Sequence, residues 1–344
     1  MGSGHGVRVS VLIVNWNGRD LLPGCLAALA RQTVAPHEIV VVDNGSEDGS
    51  ADYLRACDAQ GLKTRFLGTN TGFSGGNNVA FGMAEGDVVA LLNNDAEPDP
   101  DWIAEALPAF EDPVVAMVAC KVLRAEGGTV DKVGHLMYRD GQNRGRGTGR
   151  PDDGRFDMDE EALWPDGCAG FYRRSALEQT LTDGHLLDPD FFLYAEDAEL
   201  GMRLRWAGYR CIYRHKSIVI HRHSAGLGKF GLRKLYFIER NRMWLLVKTF
   251  PLGWILVSPW FTLLRHGANA LAALRGRGVA GGAARAQSPF ALAGCLVRAL
   301  WDGLRGAPRM WRKRSGVVKR VSDRDMKRIL RTYRISLSEL TGED

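Results

Sequence analysis

No stretch of this chain is uncharged and apolar for long enough to cross a bilayer as a helix. The longest uncharged run of the C-terminal third, Thr249 to Leu264, is broken by Pro251 and Pro259. It falls short of the roughly 20 residues such a helix needs. Cysteine is scarce and scattered: Cys25, Cys57, Cys120, Cys168, Cys211 and Cys295 never form a C-x-x-C pair. That spacing argues against a disulfide frame or a zinc site, and for reduced thiols in the cytoplasm. The opening Met1 to Gly6 is a Gly/Ser/His lead without an apolar core, so no signal peptide is expected there. The Gly-rich stretch Gly72 to Asn78 lacks the G-x-G-x-x-G spacing and a downstream acidic partner, which argues against a dinucleotide site.

What is present is an ordinary globular composition, 45% hydrophobic and 25% charged over 344 residues, enough for a sizeable core in one large domain or two. The net charge of +5 hides a division. Residues 229–334 hold 23 Lys/Arg against 4 Asp/Glu, while the rest of the chain holds 22 against 36. Two bodies of opposite charge imply two jobs, the acidic one suited to metal-bound chemistry and the basic one to an anionic partner.

Arg8 to Val14 reads as a buried strand ending in Asn15-Trp16-Asn17-Gly18, and Leu21, Leu22, Cys25, Leu26 and Leu29 recur at helical spacing after it. Glu38 to Val42 is a second strand, ending in Asp43-Asn44-Gly45-Ser46. A third, around Thr64 to Leu67, leads through the Gly-rich stretch into a helix ending near Ala84. The fourth, Gly86 to Leu92, has no polar alternation, as in a strand covered on both faces, and stops at Asn93-Asn94-Asp95 before Pro98. Strands alternating with helices, each strand closed by polar or Gly-rich residues, predict a doubly wound, mostly parallel α/β sheet flanked by helices. Ligands of such sheets sit beyond the carboxyl ends of the strands, where Asp95 would ligate a hard divalent cation on a diphosphate; a plain polar turn is the alternative. A helix is expected over Asp101 to Phe110, a strand over Val114 to Val118, a loop-rich insert over 124–163, a helix opened by Phe191 to Leu200 and running to Gly208, and a last strand over Ser217 to Ile220.

In order and spacing, residues 8 to 228 resemble the family-2 glycosyltransferases with a GT-A fold, particularly bacterial rhamnosyltransferase-like members. The resemblance rests on Ile13-Val14-Asn15-Trp16-Asn17-Gly18, Val41-Val42-Asp43-Asn44-Gly45-Ser46, Asn70-Thr71-Gly72-Phe73-Ser74-Gly75-Gly76-Asn77-Asn78, Leu92-Asn93-Asn94-Asp95, Tyr194-Ala195-Glu196-Asp197 and His221. It implies that Asn15 and Trp16 line a nucleotide pocket. Asp43 would accept a hydrogen bond from the ring N–H of uracil or thymine. Asn70, Gly75, Gly76 and Asn77 would border the sugar nucleotide, with Asn93 near the ribose. Asp95 would ligate Mg²⁺ or Mn²⁺, although Asn93-Asn94-Asp95 departs from a strict Asp-x-Asp and removes one charge from the metal. Asp197 resembles the catalytic base; taken by itself, Glu196-Asp197 also reads as acids at a helix N-terminus. His221 is expected as a metal ligand or diphosphate contact, with His223 a rival and a surface histidine the plain alternative.

The implied activity is inverting transfer of a sugar such as rhamnose from a dTDP- or UDP-sugar. The acceptor would be a lipid-linked, polyprenyl-diphosphate or polysaccharide chain in cell-surface polysaccharide assembly. A degenerate transferase acting as a non-catalytic, membrane-bound binding module is the alternative, against which stands the presence of both Asp95 and Asp197. A nucleotidyltransferase would want a Gly/Arg/Lys-rich loop after the first strand, and Asn15 to Arg19 does not supply one.

Two domains are therefore expected: a transferase domain over 7–228 and a basic, apolar helical region over 229–334. In the latter, Trp244, Trp254, Trp260, Trp301 and Trp311 stand beside arginines, as in helices lying in a membrane interface. That predicts a peripheral protein on an anionic surface, the cytoplasmic face of the inner membrane. A helical subdomain packed on the core is the alternative, and no nucleic-acid recognition motif accompanies the basic residues.

Overall fold

The computed structural model describes residues 6–223, 230–276 and 278–342, so the expected domain boundary at 228/229 lies outside the described residues. The chain begins β1 (Val9–Asn15), α1 (Leu22–Ala30), β2 (Glu38–Asp43), α2 (Ser50–Ala56), β3 (Leu62–Phe66), α3 (Gly72–Met83) and β4 (Val88–Asn93). Then come β5 (Ala96–Pro98), α4 (Trp102–Ala106), a 3₁₀ turn (Leu107–Glu111) and β6 (Val115–Arg124). Short strands β7 (Val130–Lys132), β8 (His135–Met137), β9 (Asn143–Gly145) and β10 (Glu160–Ala162) precede β11 (Ala169–Arg173), α5 (Arg174–Gln179), α6 (Glu196–Trp206) and β12 (Arg210–His221). Among the described residues six helices follow: α7 (Leu232–Thr249), α8 (Leu252–Leu274), α9 (Gly278–Ala286), α10 (Pro289–Arg314), α11 (Asp323–Thr332) and α12 (Leu337–Thr341).

The main sheet runs β10-β12-β6-β11-β4-β1-β2-β3. Its β3-β2-β1-β4 half is parallel throughout, as the apolar runs predict. Its other half is mixed, because β11 enters antiparallel between β4 and β6. Alternation along the strands feeds two cores. Leu12, Val40 and Leu91 point toward α3, α5, α6 and α7, while Val11, Ile13, Val41 and Leu92 point toward α1, α2 and α4.

Three expectations change. Pro98 does not end all pairing, for Ala96–Pro98 pairs antiparallel with β12 as a three-residue strand off the main strand path, a position that tolerates proline. The Gly-rich 72–78 stretch is the first half of α3 rather than a loop. The 124–163 insert holds four short strands, and β7 pairs with the end of β6.

The helices after residue 230 share the core of the sheet. Leu245, Leu246, Phe250, Met310, Met326 and Leu330 belong to the same buried cluster as Leu12 and Leu91. Some of their basic residues are buried against the acidic body. Lys248 Nζ lies 2.6 Å from Asp188 and 2.8 Å from Glu199, and Arg265 bridges Asp140 (2.7 Å) and Glu239 (2.7 Å). Part of the charge division is thus internal pairing, which explains why so many cations in this region tolerate burial.

Candidate active site

The strand order reverses between β1 and β4, so a crevice opens at their carboxyl ends. A cavity of about 920 Å³ fills it. One wall comes from Trp16 and Asn17 after β1 and from Asn93 and Asp95 at the end of β4; the others come from the insert, from Tyr194 to Asp197, and from α7.

Trp16, Asn70, Asn93, Asp95, Asp197 and His221 all line this cavity. Asn15 and Asp43 stand behind its wall. Asn15 Nδ2 donates to Asp43 Oδ1 (3.1 Å) and Ser46 Oγ (3.2 Å), while its Oδ1 accepts from Asn94 Nδ2 (2.7 Å). Asp43 also accepts from the Ser46 N–H (3.1 Å). These two residues stitch together the ends of β1, β2 and β4, and Asn44 fills the lining position expected of Asp43.

Gly75, Gly76 and Asn77 also lie outside the lining, for a packing reason. A Cβ on Gly76 would sit 2.6 Å from a Val14 methyl, so glycine lets α3 lie close on β1. Asn77 Nδ2 donates to the Phe73 carbonyl within its own helix (3.0 Å).

At the end of the cavity next to β4, His221 Nε2 lies 3.1 Å from Asp95 Oδ1 and Nδ1 lies 3.2 Å from Asp131 Oδ2. His223 Nε2 reaches the other oxygen of Asp131 at 3.1 Å. Burial alone would lower the His221 pKa, but Asp131 and Asp95 outweigh it and hold the ring charged up to about 9. The donor chemistry fits a divalent cation. Asp95 offers a hard oxygen, and His221 would offer an imidazole nitrogen once the cation displaces its Nε2 proton; Asp131 fixes the ring through the nitrogen facing away, as carboxylates behind metal-bound histidines do. The second group of candidate ligands, His135, Asp166 and Asp197, does not fit. Lys132 Nζ already lies 2.8 Å from Asp166 Oδ2, so a cation there would meet an ammonium.

At the other end, Asp197 opens α6. Its Oδ1 accepts from the Ala198 N–H (2.7 Å) and its Oδ2 from the Gly167 N–H (3.3 Å). Burial is the chief cause that raises its pKa, with Asp166 adding and His135 opposing. Neighbouring Glu196 is raised well above the carboxylate range by burial and then by Asp197.

The chain just before this pair is bent hard. Phe192, Tyr194 and Ala195 have φ of 63°, 69° and 66°, a left-handed region in which non-glycine residues rarely sit. Buried Asn241 of α7 holds them, its Nδ2 lying 2.8, 2.9 and 2.7 Å from the carbonyls of Phe191, Leu193 and Tyr194. Close contact with Gly72 adds to the clamp, for a Cβ there would lie 2.3 Å from the Phe192 carbonyl oxygen.

Asp131, Lys132, His135, Asp166 and Asn241 were not legible as site residues. Three of them fall in the polar insert, where no motif marks them. The available signal was the pattern Val130, Val133, Leu136 and Met137, apolar residues interleaved with Asp131, Lys132 and His135.

Comparison with known proteins agrees. The sequence pattern of Glycosyl transferase family 2 matches residues 10–181. The O-antigen chain rhamnosyltransferase RfbN of Salmonella typhimurium is 24% identical over 221 residues, covering 63% of this chain and 67% of that one. The O-antigen biosynthesis protein RfbC of Myxococcus xanthus is 28% identical over 233 residues, which span 63% of this chain but only 17% of that protein. Among solved structures, the mannosyltransferase PcManGT of Pyrobaculum calidifontis, in complex with GDP-Man and Mn²⁺, superimposes with a TM-score of 0.53 at 20% identity, covering 88% of both chains. TarS 1-349 of S. aureus in complex with UDP-GlcNAc does so with a TM-score of 0.53 at 17% identity, covering 95% of this chain and 91% of that one. These likenesses extend through the C-terminal helices and establish the GT-A fold; with the match over the first half of the chain, they make this protein a member of glycosyltransferase family 2.

Proposed function

We propose that the protein moves a sugar, with inversion, from a dTDP- or UDP-sugar to a lipid-linked or polysaccharide acceptor in cell-surface polysaccharide assembly. The observation that carries this reading is the meeting in one cavity of Asp95 and His221 at the donor end with Asp197 at the other. In this scheme Asp197 takes the proton from the acceptor hydroxyl while that oxygen attacks the anomeric carbon. The bond to the nucleoside diphosphate breaks in the same displacement, which inverts the centre. To accept that proton Asp197 must be ionised, against the burial that raises its pKa. Asp95 and His221 would hold Mg²⁺ or Mn²⁺, which when bound neutralises charge on the departing diphosphate. Rhamnose as the sugar draws on the name of the Salmonella relative.

The outward faces of α8 and α10 support a membrane-borne acceptor. Leu256, Trp260, Leu263 and Leu274 on the first, and Phe290, Val297, Trp301 and Leu304 on the second, recur at helical spacing and stay exposed. Among the described residues no helix is long and apolar enough to cross a membrane, so these faces suit helices lying in an anionic interface, the inner leaflet of the plasma membrane.

Two variants test the chemistry. Asp197→Asn keeps its shape but cannot take the proton, so turnover should fall ~10²-fold or more while donor binding holds. Asp95→Ala should abolish transfer and remove the Mn²⁺ dependence of nucleotide-sugar binding. Near-normal turnover in the first variant would move the base elsewhere, with Glu196 the next candidate. Undiminished metal-dependent binding in the second would overturn the metal assignment.

A further inference from the structure

The β7–β8 segment serves both ends of the cavity at once. Asp131 points to the donor end and holds His221 and His223. Lys132 and His135, one and four residues on, point to the Asp197 end. There Lys132 Nζ lies 2.8 Å from Asp166 Oδ2, and that oxygen lies 2.9 Å from His135 Nε2. Asp166 Oδ1 accepts the Cys168 N–H at 2.8 Å, which fixes the carboxylate itself. The same His135 Nε2 is 3.8 Å from Asp197 Oδ2.

We propose that His135, held by Asp166 and Lys132, is a positioning residue that keeps Asp197 ionised and aimed. This rests on Asp197 as the base. The imidazole has little freedom: it is buried and stacks on Trp164, with ring centroids 5.7 Å apart and planes 19° from parallel. Nε2 faces two carboxylates and therefore carries a hydrogen, whatever the state of Nδ1, which is buried without a hydrogen-bond partner. At 3.8 Å the contact with Asp197 lies beyond a direct hydrogen bond, so it acts through charge and dipole in a site with little water.

The need for such a group follows from what surrounds Asp197. Glu196 precedes it on α6, Asp166 and Gly167 face it from the segment before β11, and the Tyr172 hydroxyl lies within electrostatic reach on β11. Burial and then Asp166 favour the protonated form, which could not accept a proton. His135 is the chief group that opposes them, with the Ala198 N–H and Lys132 adding less.

The test uses the full chain with an active donor and acceptor. His135→Ala should lower kcat about tenfold to a hundredfold and move the acid limb of the pH–rate profile about one unit upward, because Asp197 loses the group that keeps it ionised. Nucleotide-sugar binding should change less than about twofold, since the donor end is untouched. His135→Gln, which retains an N–H donor, should recover part of the turnover and serves if the alanine variant does not fold. In an Asp197→Asn background, His135→Ala should add no further loss, because the two act as one unit. An unmoved acid limb, or a loss that adds fully to that of Asp197→Asn, overturns the positioning role while leaving Asp197 as base. Normal turnover in Asp197→Asn alone overturns the base reading, and this one with it.

Discussion

Helices α7 and α10 pack directly on one another, yet their surfaces are inverted. Gly303 and Gly306 of α10 let its backbone approach Met243 and Trp244 of α7, and Trp244 Nε1 donates to the Gly303 carbonyl at 3.1 Å. On α7 the polar residues face inward: Glu239, Asn241, Arg242 and Lys248 are buried, each with charged or backbone partners from the sheet body or α8. On α10 the large apolar residues face outward, with Phe290 91% and Val297 68% exposed. The difference separates two roles within one basic stretch. Charges that face the body are satisfied there, and Asn241 extends that support to the bent segment before Asp197. Large apolar side chains that face away stay more than half exposed, and exposed apolar surface of this kind marks a contact with something apolar.

The comparison breaks most visibly at its inner face. Lys248→Ala would leave Asp188 and Glu199 buried with one fewer cation. Loss of one member of a buried pair costs about 3–5 kcal/mol, with the lower end expected because Lys313 and Arg203 still reach the same carboxylates. Urea unfolding should show this, and a change under about 1 kcal/mol would mean that the inner face is not a structural support.

A smaller effect belongs to pH. Burial would raise the Glu239 carboxyl, but Arg265 and Arg242 outweigh it and hold it at about 2 against an ordinary 4.5. Because the folded-state value is depressed, the contribution is fully present above about 4.5 and drains away as pH falls toward about 2. Glu239→Gln should therefore flatten the stability–pH curve across that acid window and leave its slope above pH ~6 unchanged. An equal slope in the variant and the parent would remove Glu239 from the account.

The smallest effect on stability, and the sharpest on location, should come from the outer face. Trp260→Ser combined with Trp301→Ser should shift unfolding by no more than ~0.5 kcal/mol per site, since both rings are exposed. The same pair should lower flotation with anionic liposomes, and binding by the parent should weaken with salt while keeping an apolar remainder. Equal binding of parent protein to neutral vesicles, or none to anionic ones, would favour a plain helical subdomain.

The strands were legible where burial was uniform. β1, β2 and β4 are buried on both faces, so their apolar runs have no competing interpretation. β11 was missed because Ala169-Gly170-Phe171-Tyr172-Arg173 has neither a long apolar run nor alternation; its place is decided by pairing with β4 and β6. Among site residues, those at strand and helix ends could be named in advance, because a polar stop after an apolar run is visible in one dimension. Asn15 and Asp43 fit that rule and yet turn away from the cavity. Whether a side chain at a strand end faces ligand or neighbour depends on the adjoining strand, here through Asn94 and Ser46.

The sequence by itself determined the parallel half of the sheet, the crevice at its carboxyl ends, and the presence there of Asp95, Asp197 and His221. The sheet, the crevice and Asp95 follow from local pattern, apolar period and turn chemistry; Asp197 and His221 are implied by the family resemblance, whose motifs stand in order along the chain. Only the tertiary structure decided what holds those groups. Asp131 lies ninety residues from His221, His135 lies sixty-two from Asp197, and Asn241 supports Tyr194 from a helix beyond the last strand. Such contacts depend on charge compensation between segments distant in sequence. A buried cation looks the same in one dimension as an exposed one until its carboxylate partner has been brought to within 3 Å.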